Sequence, residues 1–257
     1  MIPYFQSLTY SLGPLTLQTW GTFVAAGFLV GGWIAAARAK RMRLDPNMVW
    51  EMLTWVFLAA MVGSRLFHVV FYEPAYYLLN PWQALNPFAP GYAIMGGLFG
   101  GAGAVWFFVK RKGLDFLAYA DTMAWGLPWG CGIGRIGCFL IHDHPGTLTS
   151  FVGGVRYPDG KVRHDLGLYL SIVGFLIGAL FLILDRFPRL AARGSRLTVS
   201  GFWVGAFLLA DAVTRFGLDF LRVADRRYSG LTPTQWAVLF TGALGIWLLM
   251  RTKRTAS

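Results

Sequence analysis

The sequence predicts an all-α, polytopic membrane protein of about seven transmembrane helices, with the N-terminus outside and the C-terminus inside. Three observations carry this. Hydrophobic residues make up 56% of the 257-residue chain and charged residues only 14%, against about 25% charged in a soluble domain. Mean hydropathy is +0.52. Apolar runs of spanning length recur along the chain, each about 20 residues long, and short basic clusters follow several of them. The net charge of +11 therefore points to membrane-flanking loops and excludes a nucleic-acid partner.

The expected spans, in order, run from about Leu15 to Ala37, Met48 to Phe71, Tyr92 to Val109, Phe116 to Ile141, Leu166 to Leu184, Val199 to Leu221 and Thr232 to Met250. Basic residues follow the odd-numbered spans: Arg38, Lys40, Arg41 and Arg43; Lys110, Arg111 and Lys112; Arg186, Arg189, Arg193 and Arg196; Arg251, Lys253 and Arg254. Fourteen of the 23 basic residues thus fall on one side, which the positive-inside rule makes cytoplasmic. The N-terminal segment and the loop from Glu73 to Pro90 lack Lys and Arg, and the aromatics of the outer segments (Tyr4, Phe5, Tyr72, Tyr76, Tyr77, Trp82) suit a headgroup zone. Residues 1–257 read as a single membrane-embedded domain, with a small outer loop or hairpin around 142–165, where Pro158-Asp159-Gly160 marks a turn.

Charges inside these spans carry the functional argument, because an ionised group at the bilayer centre costs at least about 2.5 kcal/mol. Arg65, Arg135 and Arg215 fall within spans and Arg222 at the end of one. Arg215, Asp219 and Arg222 share a helix face by their spacing, so Asp219 can orient either arginine. The acids available do not obviously neutralise every cation. A bound anion would complete the balance, and a guanidinium fork suits phosphate. Arg135 lies among Gly130, Gly132, Gly134 and Gly137, which allow close helix packing or a close ligand. Gly96 and Gly97 form a second such run. Cys131 and Cys138 are seven residues apart, about 10.5 Å along a helix and too far for a disulfide. Beyond Arg135 stand His142, Asp143, His144 and Gly146. Three readings of that loop stay open: a solvated turn, a zinc site with His164, or a general base for proton transfer near neutral pH.

Together, Gly134-Arg135-Ile136-Gly137-Cys138-Phe139 with Asp143 and Gly146, Trp20-Gly21, Gly63-Ser64-Arg65-Leu66, Gly96-Gly97-Leu98, Asp121, Arg215 to Asp225, and Gly230-Leu231-Thr232 with Gln235 resemble the prolipoprotein diacylglyceryl transferase family over nearly the whole chain. The resemblance implies a multi-pass enzyme of the bacterial cytoplasmic (inner) membrane. It would move a diacylglyceryl group from phosphatidylglycerol to the lipobox cysteine thiol in the signal peptide of a prolipoprotein, releasing glycerol phosphate. Its partners would be phosphatidylglycerol, the prolipoprotein and membrane lipids, with no metal and no organic cofactor. Arg135 and Arg215 match the family's essential arginines. His142, Asp143 and His144 are the candidates for proton transfer. Trp20, Arg65, Gly96, Gly97, Gly137, Cys138, Gly146, Asp219 and Arg222 are expected around the substrate. Four positions depart from the family pattern: Met95 where a histidine is usual, Cys138 where an asparagine is, Asp143 where a glutamate is, and Trp20 where a tyrosine is. A divergent paralogue, or a carrier that binds an anionic phospholipid without transfer, is the alternative.

Overall fold

The computed structural model describes residues 1–86, 91–186, 199–223 and 227–256. Arg189, Arg193, Arg196, Asp225 and Arg226, and the side chains of Met95, Leu98, Lys253 and Arg254, lie outside the described residues. The protein is mostly helical, with 70% of its residues in helices. The helices are α1 (Thr19–Arg41), α2 (Pro46–Phe71), the short α3 (Pro74–Leu79) and α4 (Pro81–Ala84), α5 (Ile94–Lys112), α6 (Phe116–Ile141), α7 (Leu166–Arg186), α8 (Phe202–Leu218) and α9 (Pro233–Ala256). Among the described residues, α1, α2, α7 and α9 are long and apolar enough to cross a membrane.

Short strands accompany the helices. β2 (Thr9–Leu12) and β3 (Leu15–Gln18) form an antiparallel hairpin closed at Gly13, whose φ of 60° suits glycine. Leu15–Gln18 is therefore strand, and the first helix begins four residues later than the apolar run suggests, at Thr19. β1 (Ile2–Pro3), β4 (Pro145–Leu148), β5 (Val155–Arg156) and β6 (Val162–Asp165) make a four-stranded sheet in the order β1-β5-β6-β4.

The chain forms two compact units. One comprises Met1–Arg38 and Ala120–Ser257; the other comprises Ala39–Tyr119. In the first, α6 is gripped on two sides through glycine. A Cβ added at Gly130 would lie 2.8 Å from the Gly27 carbonyl of α1, and one at Gly174 of α7 would lie 2.7 Å from the Pro128 carbonyl. Such close approach relies on small residues, the device by which helices pack in lipid. α8 packs along α9, with Gly205 against Gly245. Trp125, Phe181 and Trp203 form an aromatic core. Arg38 lies 4.2 Å from the Trp125 ring centroid and pairs with Asp185 at 3.0 Å. Buried Asp121 accepts hydrogen bonds from the backbone N–H groups of Gly201 (2.8 Å) and Val204 (2.9 Å), capping α8.

In the second unit, α2 and α5 pack along their length, again at glycines: Gly63 meets Gly96, and Gly100 meets Ala59. A Cβ on Gly96 would fall on the Gly63 carbonyl. Gly96 thus serves helix packing, while Gly97 has only ordinary contact with Ala60 and Ser64. Arg65 is buried and donates to three carbonyls of the segment that follows α2: Gln83 (2.5 Å), Ala84 (3.1 Å) and Gly91 (2.9 Å). The rings of Tyr77 and Tyr92 lie 5.4 and 5.5 Å from its guanidinium.

Candidate active site

The site is built at the end of α6. Gly137 lets the start of α1 come in close, since a Cβ there would lie 2.9 Å from Phe23 Cβ and 3.2 Å from the Trp20 Cα. Trp20 thereby packs against the turn that carries buried Cys138. One turn earlier on the same helix, Arg135 reaches up and places its Nη1 3.7 Å from that sulfur. Among the described residues, no carboxylate pairs with Arg135, and the thiol is its single hydrogen-bond partner. A guanidinium carries five N–H donors, so most of its capacity is unspent.

His142 ends the helix in a left-handed conformation, φ 51°, and turns the next residues back over the helix end. Asp143 and His144 are hydrogen-bonded to each other and come back to Cys138. One ligating atom from each of the three lies within 4.8 Å of the others.

The two histidines of this loop differ in what they touch. His142 has its Nδ1 2.7 Å from Asp165 and its Nε2 2.9 Å from the Phe5 carbonyl. The ring is thus held from both edges. Side-chain exposures of 2% for His142 and 1% for Asp165 mark a fully buried pair. Tyr4 stacks on the His142 ring at 4.5 Å, and Tyr157 donates to Asp165 at 3.3 Å. Burial and the charge of Asp165 push the Tyr157 hydroxyl pKa well up. His142 thus ties the first residues and the β5–β6 hairpin to the end of α6. His144 is part-exposed, with side-chain exposure of 29%, and faces Cys138.

Arg215 on α8 is held by Asp211, both of whose oxygens lie 2.8 Å from its Nε. Its two terminal nitrogens have no hydrogen-bond partner among the described residues. Arg135, Arg215 and Asp211 each act electrostatically on the Cys131 thiol. Asp219 takes Arg222, at 3.0 Å, and also accepts from Thr232. α8 stops at Leu218 and a 3-10 turn follows, which turns Asp219 away from Arg215. Gly146 pairs by its backbone with Arg222, and a Cβ on it would lie 2.9 Å from the Leu221 carbonyl.

Some sequence expectations change here. Asp211 is the partner of Arg215 that spacing toward Asp219 missed; the i, i+4 separation of 211 and 215 was the available signal. The zinc set with His164 does not assemble, because His164 bonds Tyr169 at 2.8 Å and His142 is committed to Asp165. Arg65, Gly96 and Gly97 belong to the other unit, and the Arg65 fork rests on carbonyls.

Fold and side-chain chemistry together define a class: a helical membrane protein with a cationic, polar site set into apolar helices. The family model described as prolipoprotein diacylglyceryl transferase matches residues 7–251, and the chain belongs to that family. It is similar to proteins named phosphatidylglycerol–prolipoprotein diacylglyceryl transferase. That of Nitratidesulfovibrio vulgaris (strain DP4) is 34% identical over 96% of this chain and 94% of its own length. That of Solidesulfovibrio magneticus is 31% identical over 97% and 95%. That of Azospirillum brasilense is 30% identical over 98% and 96%.

Proposed function

We propose that this protein is a diacylglyceryl transferase that takes its lipid group from phosphatidylglycerol and places it on the cysteine thiol of a prolipoprotein lipobox. The observation that carries the reading is the Arg135 guanidinium, set in an apolar helix with, among the described residues, only a neutral thiol as partner. A charge so placed needs an anion, and the headgroup phosphate supplies one. Arg135 and the terminal nitrogens of Arg215 hold the phosphate and take up charge on the departing glycerol phosphate. Asp211 fixes the Arg215 fork. Asp143 and His144 activate the acceptor thiol, while His142 positions their loop. Trp20, Gly137, Cys138 and Gly146 shape the wall around them, with Asp219 and Arg222 bracing it.

In this reading the chain works as one domain in the bacterial inner membrane. It has seven spans, a cytoplasmic C-terminus, and the 142–165 hairpin outside. The signal peptide reaches the site from the outer leaflet.

The test is transfer itself. Purified protein is incubated with phosphatidylglycerol and a lipobox peptide, and the peptide's mass gain and glycerol phosphate release are followed. Transfer by the wild type and its loss in Arg135→Ala and Arg215→Ala support the reading. A folded, lipid-binding protein that transfers nothing would point to a carrier or paralogue.

A further inference from the structure

Arg215 and Arg135 bring different net charges to the site. Both oxygens of Asp211 lie 2.8 Å from the Arg215 Nε, so that arginine and its acid together are neutral. Arg135 has no carboxylate partner among the described residues. The three groups each act electrostatically on the Cys131 thiol, and together they carry a single positive charge. We propose that Asp211 sets this sum, so that the site selects a singly charged phosphodiester lipid and disfavours the more highly charged phosphomonoester that the reaction leaves behind. The inference rests on the transferase reading for the identity of the donor and of the leaving group.

The place of Asp211 suits this task. It takes the Nε edge of Arg215, and the two terminal nitrogens have no hydrogen-bond partner among the described residues. The acid therefore subtracts charge without occupying the fork that suits a phosphate. Arg215 and Asp211 are both half-buried on an apolar helix, where charges interact more strongly than in water. Other charged groups stand apart from the sum. Asp219 and Arg222 pair at 3.0 Å and cancel. Asp143 is exposed, bonded to His144 on the loop beyond His142, where water and salt screen it.

The chemistry turns on this count. A phosphodiester carries one negative charge and balances Arg135. A phosphomonoester carries about 1.5–2 negative charges near pH 7. In transfer, the acceptor thiol gives its proton to the Asp143–His144 pair, which passes it to water. The sulfur attacks the glycerol carbon that carries the phosphate. The C–S bond forms as the C–O bond breaks, and the electron pair leaves on the phosphate oxygen. The two forks take up that charge as it develops. Once the step is complete, the charge in excess of the site's own works against the bound product. Product release limits turnover in many enzymes, and a site with two uncompensated arginines would retain glycerol phosphate.

A simple brace predicts the reverse. If Asp211 only steadied Arg215, its loss would loosen the fork and weaken every phosphate ligand alike.

The test uses purified full-length protein at pH 8, with phosphatidylglycerol, phosphatidic acid and glycerol phosphate as probes. Lipid binding is measured without acceptor, and transfer is then followed with a lipobox peptide. The wild type is expected to bind phosphatidylglycerol in preference to phosphatidic acid and to be inhibited weakly by glycerol phosphate. Asp211→Asn keeps an acceptor for the Arg215 Nε and removes the charge. In that variant the relative affinity for phosphatidic acid rises at least about 10-fold, and glycerol phosphate inhibits at least about 10-fold more tightly. Lipidated peptide then forms in a burst of about one per chain before slow turnover, the mark of limiting release. Asp211→Glu keeps the wild-type preference. An unchanged preference in folded Asp211→Asn, or equal weakening of all three ligands, would overturn the proposal while wild-type transfer leaves the transferase reading standing. A shifted preference in a protein that never transfers would keep the charge-setting role and sink that reading.

Discussion

Arg65 and Arg135 are the same residue in the same kind of apolar helix, and their surroundings are opposite. Arg65 is solvated by the protein: three backbone carbonyls fill its fork and two tyrosine rings flank it. Arg135 meets one thiol. A guanidinium withdrawn from water must recover its hydration from somewhere. Where the chain provides the acceptors, the arginine braces a connection. Where it does not, the acceptors must arrive with a ligand. Arg65 is buried and Arg135 half-buried, and the inventory of partners separates them further.

The largest effect that tests this contrast is on catalysis. Arg135→Ala lowers transfer by about 10²–10³-fold or more, the usual cost of a lost donor to developing charge, with the thermal unfolding midpoint little changed. Arg135→Lys recovers part of it, since a point charge replaces a fork. Equal activity loss in a folded Arg65→Ala protein would break the comparison.

Next comes the buried pair that anchors the loop. His142→Ala leaves buried Asp165 with only the Tyr157 hydroxyl and the Leu168 N–H and destabilises the protein by about 3 kcal/mol, read as unfolding in detergent. His144→Ala removes a part-exposed group and costs far less stability while reducing transfer. The two histidines, two residues apart, thus reproduce the arginine contrast on a smaller scale.

Arg65→Ala follows. It leaves three carbonyls without their donor and costs about 2–3 kcal/mol, seen as faster hydrogen exchange in α3 and α4.

The smallest effect is on the hairpin turn, where Arg163 hydrogen-bonds Asp159 and holds its carboxyl pKa down to about 2. A depressed carboxyl stabilises fully above its unfolded value of about 3.9. That contribution fades as pH falls from there through about 2. An NMR titration of Asp159 should show this midpoint, and it should rise toward the unfolded value in Arg163→Gln.

The helices were legible because a spanning run is written in one stretch of sequence. α2, α6 and α7 lie within two residues of the apolar limits at Met48, Phe71, Phe116, Ile141, Leu166 and Leu184. Arg135 and its glycines stood out for the same reason, and Gly130, Gly132 and Gly137 all meet close neighbours. What stayed hidden depends on partners far along the chain. His142 is set apart from His144 by Phe5 and Asp165, 137 and 23 residues away. Arg65 is satisfied by carbonyls 18 to 26 residues on, and carbonyls leave no mark in a sequence. Cys138 meets Asp143 and His144 only through the left-handed turn at His142, which brings them back to it.

The pairing of β1 with β5 joins Ile2 to Val155 and Pro3 to Arg156. During synthesis at about 5–20 residues per second, the first strand waits on the order of ten seconds for its partner to be made. Six helices of the described residues, α1 to α6, are made in the meantime. The four-stranded sheet, and with it the seat of His142 on Phe5, is therefore among the late events of biogenesis. A chain stalled before residue 155 would carry Arg135 already in place while the loop beside it still lacked its anchor.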